Sequence, residues 1–74
     1  MNQKDKVDVN LKLLKSLRET HCKSISDIAS YLGYKTSTSY WLMECGRRGF
    51  SIDALYKLAK LYKYTMEGLL LVKD

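Results

Sequence analysis

Residues 24–46, SISDIASYLGYKTSTSYWLMECG, decide the fold. Ser24 stands where a helix N-cap is needed, and Asp27, three residues on, can reach back to it, a capping box with the shorter acid. Ile28, Ala29 and Leu32 form an apolar stripe over two turns, with Ala29 small enough for two helix backbones to come close. Gly33 ends this helix, because glycine takes the left-handed conformation at C′ without steric cost. Thr36 caps a second helix over Ser37–Glu44, and Gly46 ends it. Tyr40 and Met43, three apart, face inward, which leaves Ser37, Thr38, Trp41 and Leu42 on the outer side. Two short helices joined by a tight glycine turn are the signature of a helix–turn–helix.

The flanking segments read as scaffold. Residues 1–7 read as a flexible N-terminal segment, and residues 8–72 as one domain. From Asp8 a helical pattern starts, with Val9, Leu13, Leu14 and Leu17 on one side and Lys12, Lys15 and Arg18 on the other. It ends near His21, where the segment THCKS loses all periodicity. Ser51 caps a fourth helix that carries Ile52, Leu55, Leu58, Ala59 and Tyr62 on one face. Lys57, Lys60 and Lys63 lie largely off that face. Thr65 caps a last short helix in which Met66, Leu69 and Leu70 pack, followed by an apolar end at Leu71 and Val72. No segment reads as alternating with period two, and there is no proline. The expectation is an all-α, compact five-helix bundle without a sheet.

The totals bound the class. A chain of 74 residues holds one small domain with a modest core. At 46% hydrophobic it is too apolar for a disordered chain. A net charge of +5 favours a polyanionic partner. Charge alone does not separate that from a small soluble protein with excess lysine. The sequence has no signal-peptide run and no window of 18 apolar residues, so the expectation is a cytoplasmic protein without a membrane partner. Cys22 and Cys45, with the single His21, are too few for a structural zinc site. Both cysteines read as small, mostly buried hydrophobes. No cysteine or serine has a base at a recognisable spacing, and no phosphate loop is present, so neither an enzyme, a cofactor nor a small-molecule substrate is expected.

Taken together, LKSLRE at 14–19, SISDIASYLG at 24–33, the Glu44-Cys45-Gly46 helix end and SIDALYKLAKLYKYTMEGLL at 51–70 resemble the Cro/repressor-type, or Xre-like, helix–turn–helix family. The resemblance covers roughly residues 9–72. It implies a lambda-repressor-like bundle of five helices that docks its third helix in the DNA major groove. Three departures stand out. Ile25 sits where the commonest pattern has a phosphate-touching glutamine. The span from Gly33 to Gly46 is one residue longer than usual, as in a variant from low-GC Gram-positive bacteria and their mobile elements. Phe50 replaces the proline that variant often carries.

On this reading double-stranded DNA is the partner. The base contacts fall to Ser37, Thr38, Ser39, Trp41 and Leu42. Phosphate contacts fall to Ser24, Ser26, Tyr34, Lys35, Thr36, Arg47 and Arg48, helped by the free N–H groups of helix ends. Serine and threonine discriminate bases weakly, and the strong readers Arg, Lys, Asn and Gln are missing between Thr36 and Glu44. A homodimer on a palindromic site is expected from the mode of binding, with Leu69, Leu71 and Val72 as its apolar interface. Trp41 reads three ways: as core, as a ring against sugars and bases, or as the anchor of a protein interface. The last supports a rival reading, a protein-interaction module from a phage or mobile element that reuses the same fold.

Overall fold

Asn10 joins the two halves of the architecture. The structure, a computed structural model, describes residues 6–73. A strand, β1 (Lys6–Val9), runs into Asn10, whose side-chain oxygen accepts from the Leu13 N–H at 3.1 Å and so caps α1 (Leu11–Thr20). The Asn10 N–H donates to the Leu69 carbonyl at 2.8 Å. After α1 come α2 (Ile25–Tyr31), α3 (Ser37–Glu44) and α4 (Ile52–Tyr62). One turn of 3-10 helix, Glu67–Leu69, then leads into β2 (Leu70–Lys73), which pairs antiparallel with β1.

The chain is therefore mostly helical, with four α-helices and a two-stranded sheet among the described residues in place of the five helices expected. Two local reasons account for the difference. The Thr65 hydroxyl does act as a cap, accepting from the Gly68 N–H at 3.0 Å, but the helix it starts is one turn long. Gly68 sits within it and is a poor helix former, and Leu70 is already extended. At the other end, Lys6-Val7-Asp8-Val9 alternates polar and β-branched residues, which is a strand pattern over four residues. Asp8 thus lies in a strand, and α1 starts at Leu11. Of the N-terminal segment expected to be flexible, residues 1–5 fall outside the described residues, while Lys6 and Val7 belong to β1.

The register pairs Val7 with Val72, Asp8 with Leu71 and Val9 with Leu70. The bond from Asn10 to Leu69 continues that register, so Asn10 occupies a hydrogen-bonded position. Antiparallel ladders alternate hydrogen-bonded and non-bonded pairs. Asp8 and Leu71 then form the next bonded pair, and Val7 and Val9 turn their N–H and C=O groups away from β2.

The core draws on every helix: Leu14, Ile28, Ala29, Leu32, Tyr40, Met43, Ala54, Leu58, Ala59, Tyr62 and Leu69 are buried. On α4 the buried stripe is Ala54, Leu58 and Tyr62, spaced by four, with Ala59 beside it. Ile52, expected on that face, is 75% exposed, since it lies to the side of the arc that this stripe defines. Leu69, expected at a dimer interface, is completely buried in the chain's own core; Leu71 and Val72 are exposed. Both cysteines are exposed, contrary to expectation. Cys22 occupies a left-handed turn after α1, and Cys45 caps α3 on its outer side.

The contrast between Leu69 and Ile52 is measurable by urea denaturation. Leu69→Ala is expected to lower the unfolding free energy by about 3 kcal/mol. Ile52→Ala is expected to change it by less than about 0.5 kcal/mol. Similar losses for both would contradict the burial pattern.

Candidate nucleic-acid interface

The pair α2 and α3 is held by its caps. The Ser24 hydroxyl accepts from the Asp27 N–H at 3.0 Å, and the Asp27 carboxylate accepts from the Ser24 N–H at 2.8 Å. Those bonds, first to the Ser24 backbone and then to its hydroxyl, hold the exposed Asp27 carboxyl below the usual range. The N-terminus of α2 is therefore already matched by a carboxylate. Ser24 spends its hydroxyl on this cap, and a phosphate approaching Ser24 or Ser26 would meet the charge of Asp27.

The turn obeys the expected chemistry. Gly33 has φ +82°, and Tyr34 closes the helix end by donating its N–H to the Ala29 carbonyl at 2.8 Å. Tyr34 itself is half-buried against the core, which makes packing its main role. Thr36 caps α3, its hydroxyl facing the Ser39 N–H at 3.4 Å and the Ser39 hydroxyl at 3.2 Å. Ser39 is thereby engaged with the Thr36 cap and is half-buried.

Tyr40 and Met43 are buried, as their spacing requires. Ser37, Thr38 and Trp41 form the exposed face, and Leu42 borders it half-buried. Trp41 is 46% exposed, so it is not a core residue. Lys35 lies exposed before the helix, and Arg47 and Arg48 lie exposed after it. Gly46, at φ +83°, makes the turn that places the two arginines. An alanine there would also bring its Cβ within 3.1 Å of Leu11 Cδ1.

Glu44, the one acid of α3, points the other way. Arg18 of α1 donates from Nε to both Glu44 oxygens, at 3.2 and 3.0 Å, and from Nη2 to Oε1 at 3.0 Å. Its Nη1 donates to the Lys23 carbonyl at 3.0 Å. The two side chains are only 12% and 6% exposed. Glu44's hydrogen bonds, and then its charge, hold the Arg18 guanidinium above its ordinary range against the opposing effect of burial. No pattern in the sequence marked this pair, whose members stand 26 residues apart.

Two tyrosines border the pair. The hydroxyls of Tyr40 and Tyr62 are buried and have no hydrogen-bond partner among the described residues. Tyr40 feels the Glu44 carboxylate, yet the two do not meet in hydrogen-bond geometry. Burial first, and the charge of Glu44 second, raise both phenols, Tyr62 to about 12 and Tyr40 further.

Among the described residues no group of His, Cys, Asp and Glu is arranged to hold a metal ion, and no helix is long and apolar enough to cross a membrane. No family model, no curated protein and no solved structure matches this chain. The face of α3 therefore has to be read from its own chemistry.

The raised phenols set an alkaline limit. Above pH ~10 the unfolded chain loses its tyrosine protons, while folded Tyr62 keeps its own up to about 12. The folded state then binds more protons, so stability falls as pH rises through this window. Below it the contribution is fully present. Ultraviolet titration is expected to show two of the six tyrosines ionising only as the fold is lost. Six tyrosinates formed with the far-ultraviolet circular dichroism intact would contradict this.

Proposed function

We propose that this chain is a sequence-specific DNA-binding regulator of transcription, a repressor of the Cro/repressor type, which docks α3 in the major groove. The observation that carries the reading is the electrostatics of α3. Its exposed face bears no charge, cations stand at both ends, and its single acid is drawn inward onto Arg18. A duplex meets hydroxyls and a ring in the groove and positive charge at the phosphates on either side. Ser37 and Thr38 then contact base edges, with the threonine methyl suited to a thymine methyl. Trp41 lies against sugars and bases. Lys35, Arg47 and Arg48 hold the backbone. With no strong base reader on the face, DNA shape supplies part of the specificity.

Regulators of this kind bind as homodimers on palindromic sites. Leu71 and Val72 remain the apolar surface for that contact, Leu69 having been taken by the core. The protein acts in the cytoplasm, without a cofactor and without chemistry of its own.

One observation favours a second reading. Trp41 stands 46% exposed beside Leu42 on an uncharged face, and exposed tryptophans often anchor protein interfaces. In that case the module binds another protein through Trp41, Leu42 and Phe50, although Phe50 is half-buried and in edge contact with Tyr40.

Selection from a random duplex library separates the two. An enriched palindrome is expected. On the selected site, the double variant Arg47→Ala, Arg48→Ala is expected to weaken all sequences alike. It should also flatten the dependence of log K on log salt by roughly 0.9 per lost phosphate contact. Thr38→Ala is expected to change sequence preference more than total affinity. A library that enriches nothing would overturn the DNA reading and leave the protein partner.

A further inference from the structure

A groove lies beside β1. Residues 7–12 line it without interruption, and Met43, Gly46, Arg48, Gly49, Phe50 and Leu71 of β2 complete the lining. Val7 and Val9 border the space, and so do Asp8 and its cross-strand neighbour Leu71, so both alternating sets of β1 residues are reached together with part of the sheet face. Its volume is about 550 Å³, within the range of pockets that hold compact ligands.

The chemistry of the edge is specific. The register turns the N–H and C=O groups of Val7 and Val9 away from β2. Among the described residues neither backbone has another hydrogen-bond partner. Unpaired strand edges recruit strands, and among the described residues the sheet has two strands, a number that is marginal without further pairing or packing. The lining is apolar at Phe50 and Leu71, Met43 being almost fully buried, and Gly46 and Gly49 bring no side chain into the space. Two cations, Lys12 and Arg48, stand on the lining against one acid, Asp8.

We propose that this groove is an acceptor for an extended peptide segment of a partner protein, apolar at alternate residues and acidic between them. The segment adds to the sheet as a third strand on β1. Its backbone pairs with Val7 and Val9, its apolar side chains rest on Phe50, and its carboxylates meet Lys12 and Arg48. This is strand addition to a sheet edge, in which main-chain bonds supply affinity and the walls supply specificity. A second copy of the chain suits the space less well, because its strands arrive with their own sheet and about 550 Å³ holds a short single segment. Arg48 belongs both to this groove and to the duplex-facing end of α3, so an occupant competes with phosphate for it. That consequence rests on the DNA-binding proposal; the groove does not.

The test uses the full ¹⁵N-labelled chain and an end-capped peptide, Glu-Val-Glu-Val-Glu, with two controls: the same peptide methylated at its valine nitrogens, and one with lysine for glutamate. Saturable shifts at the Val7 and Val9 amides, with slowed solvent exchange, are expected for the first peptide only. Val7→Pro removes an outward N–H without touching the β1–β2 ladder, and proline is tolerated at sheet edges. It is expected to weaken the peptide about tenfold, the worth of one hydrogen bond, and Arg48→Ala to weaken it several-fold. Amides of Val7 and Val9 that do not move would overturn the proposal. So would equal binding of the methylated peptide, which needs no variant to fold. Self-association without peptide that protects the same two amides would hand the edge to a second copy instead. Duplex binding is measured separately, so loss of one does not decide the other.

Discussion

The Arg18–Glu44 pair is the constraint on which the arrangement depends. A single guanidinium uses three of its nitrogens to tie the end of α1 to the Lys23 carbonyl and to the last residue of α3. Charges this far from water are costly to bring together, and such pairs are not in themselves a source of stability. Once in place, however, removing one partner strands the other, at a cost on the order of 3 kcal/mol. The pair therefore acts on geometry. It sets where the far end of α3 lies relative to α1, and with it the direction in which Gly46, Arg47 and Arg48 leave the helix. It also withdraws the only negative charge of α3 from the exposed face, which leaves that face neutral between cations.

The loop after α3 serves two surfaces for one reason. Gly46 must approach Leu11 closely, which brings the loop over the start of α1 and alongside β1. One side of residues 46–50 then continues the exposed face of α3, and the other forms the wall of the groove. The two-stranded sheet extends this arrangement by holding Asn10, and hence the start of α1, against the Leu69 carbonyl.

Much of the candidate site was legible because its determinants are local. Ser24, Thr36 and Ser51 each cap the next helix with a hydroxyl aimed three residues ahead, and Gly33 and Gly46 adopt the left-handed backbone that their positions demand. The inward pair Tyr40 and Met43 could be read from helical spacing alone, and it placed Ser37, Thr38 and Trp41 outside. Where the reading failed, the signal was short or the cause was distant. Four alternating residues at β1 are a weak pattern beside a strong helix, and β2 looks apolar enough to be a helix end. Each strand exists because the other pairs with it. Ile52 fits an apolar series on paper, yet the arc that packs is chosen by what lies opposite, and Ala54 takes the buried place. The exposure of Cys22 and Cys45 comes from the turns in which they lie.

The amino-acid sequence by itself determined a mostly helical chain, the hydroxyl caps at Ser24, Thr36 and Ser51, the glycine stops at Gly33 and Gly46, and the outward turn of Ser37, Thr38 and Trp41 on α3. These depend on hydrogen bonds and spacings within one or two turns of chain. Only the tertiary structure decided the sheet, the burial of Leu69, the inward turn of Glu44 and the groove beside β1. Each of these joins residues far apart in sequence, and such contacts are settled by the packing of the whole chain.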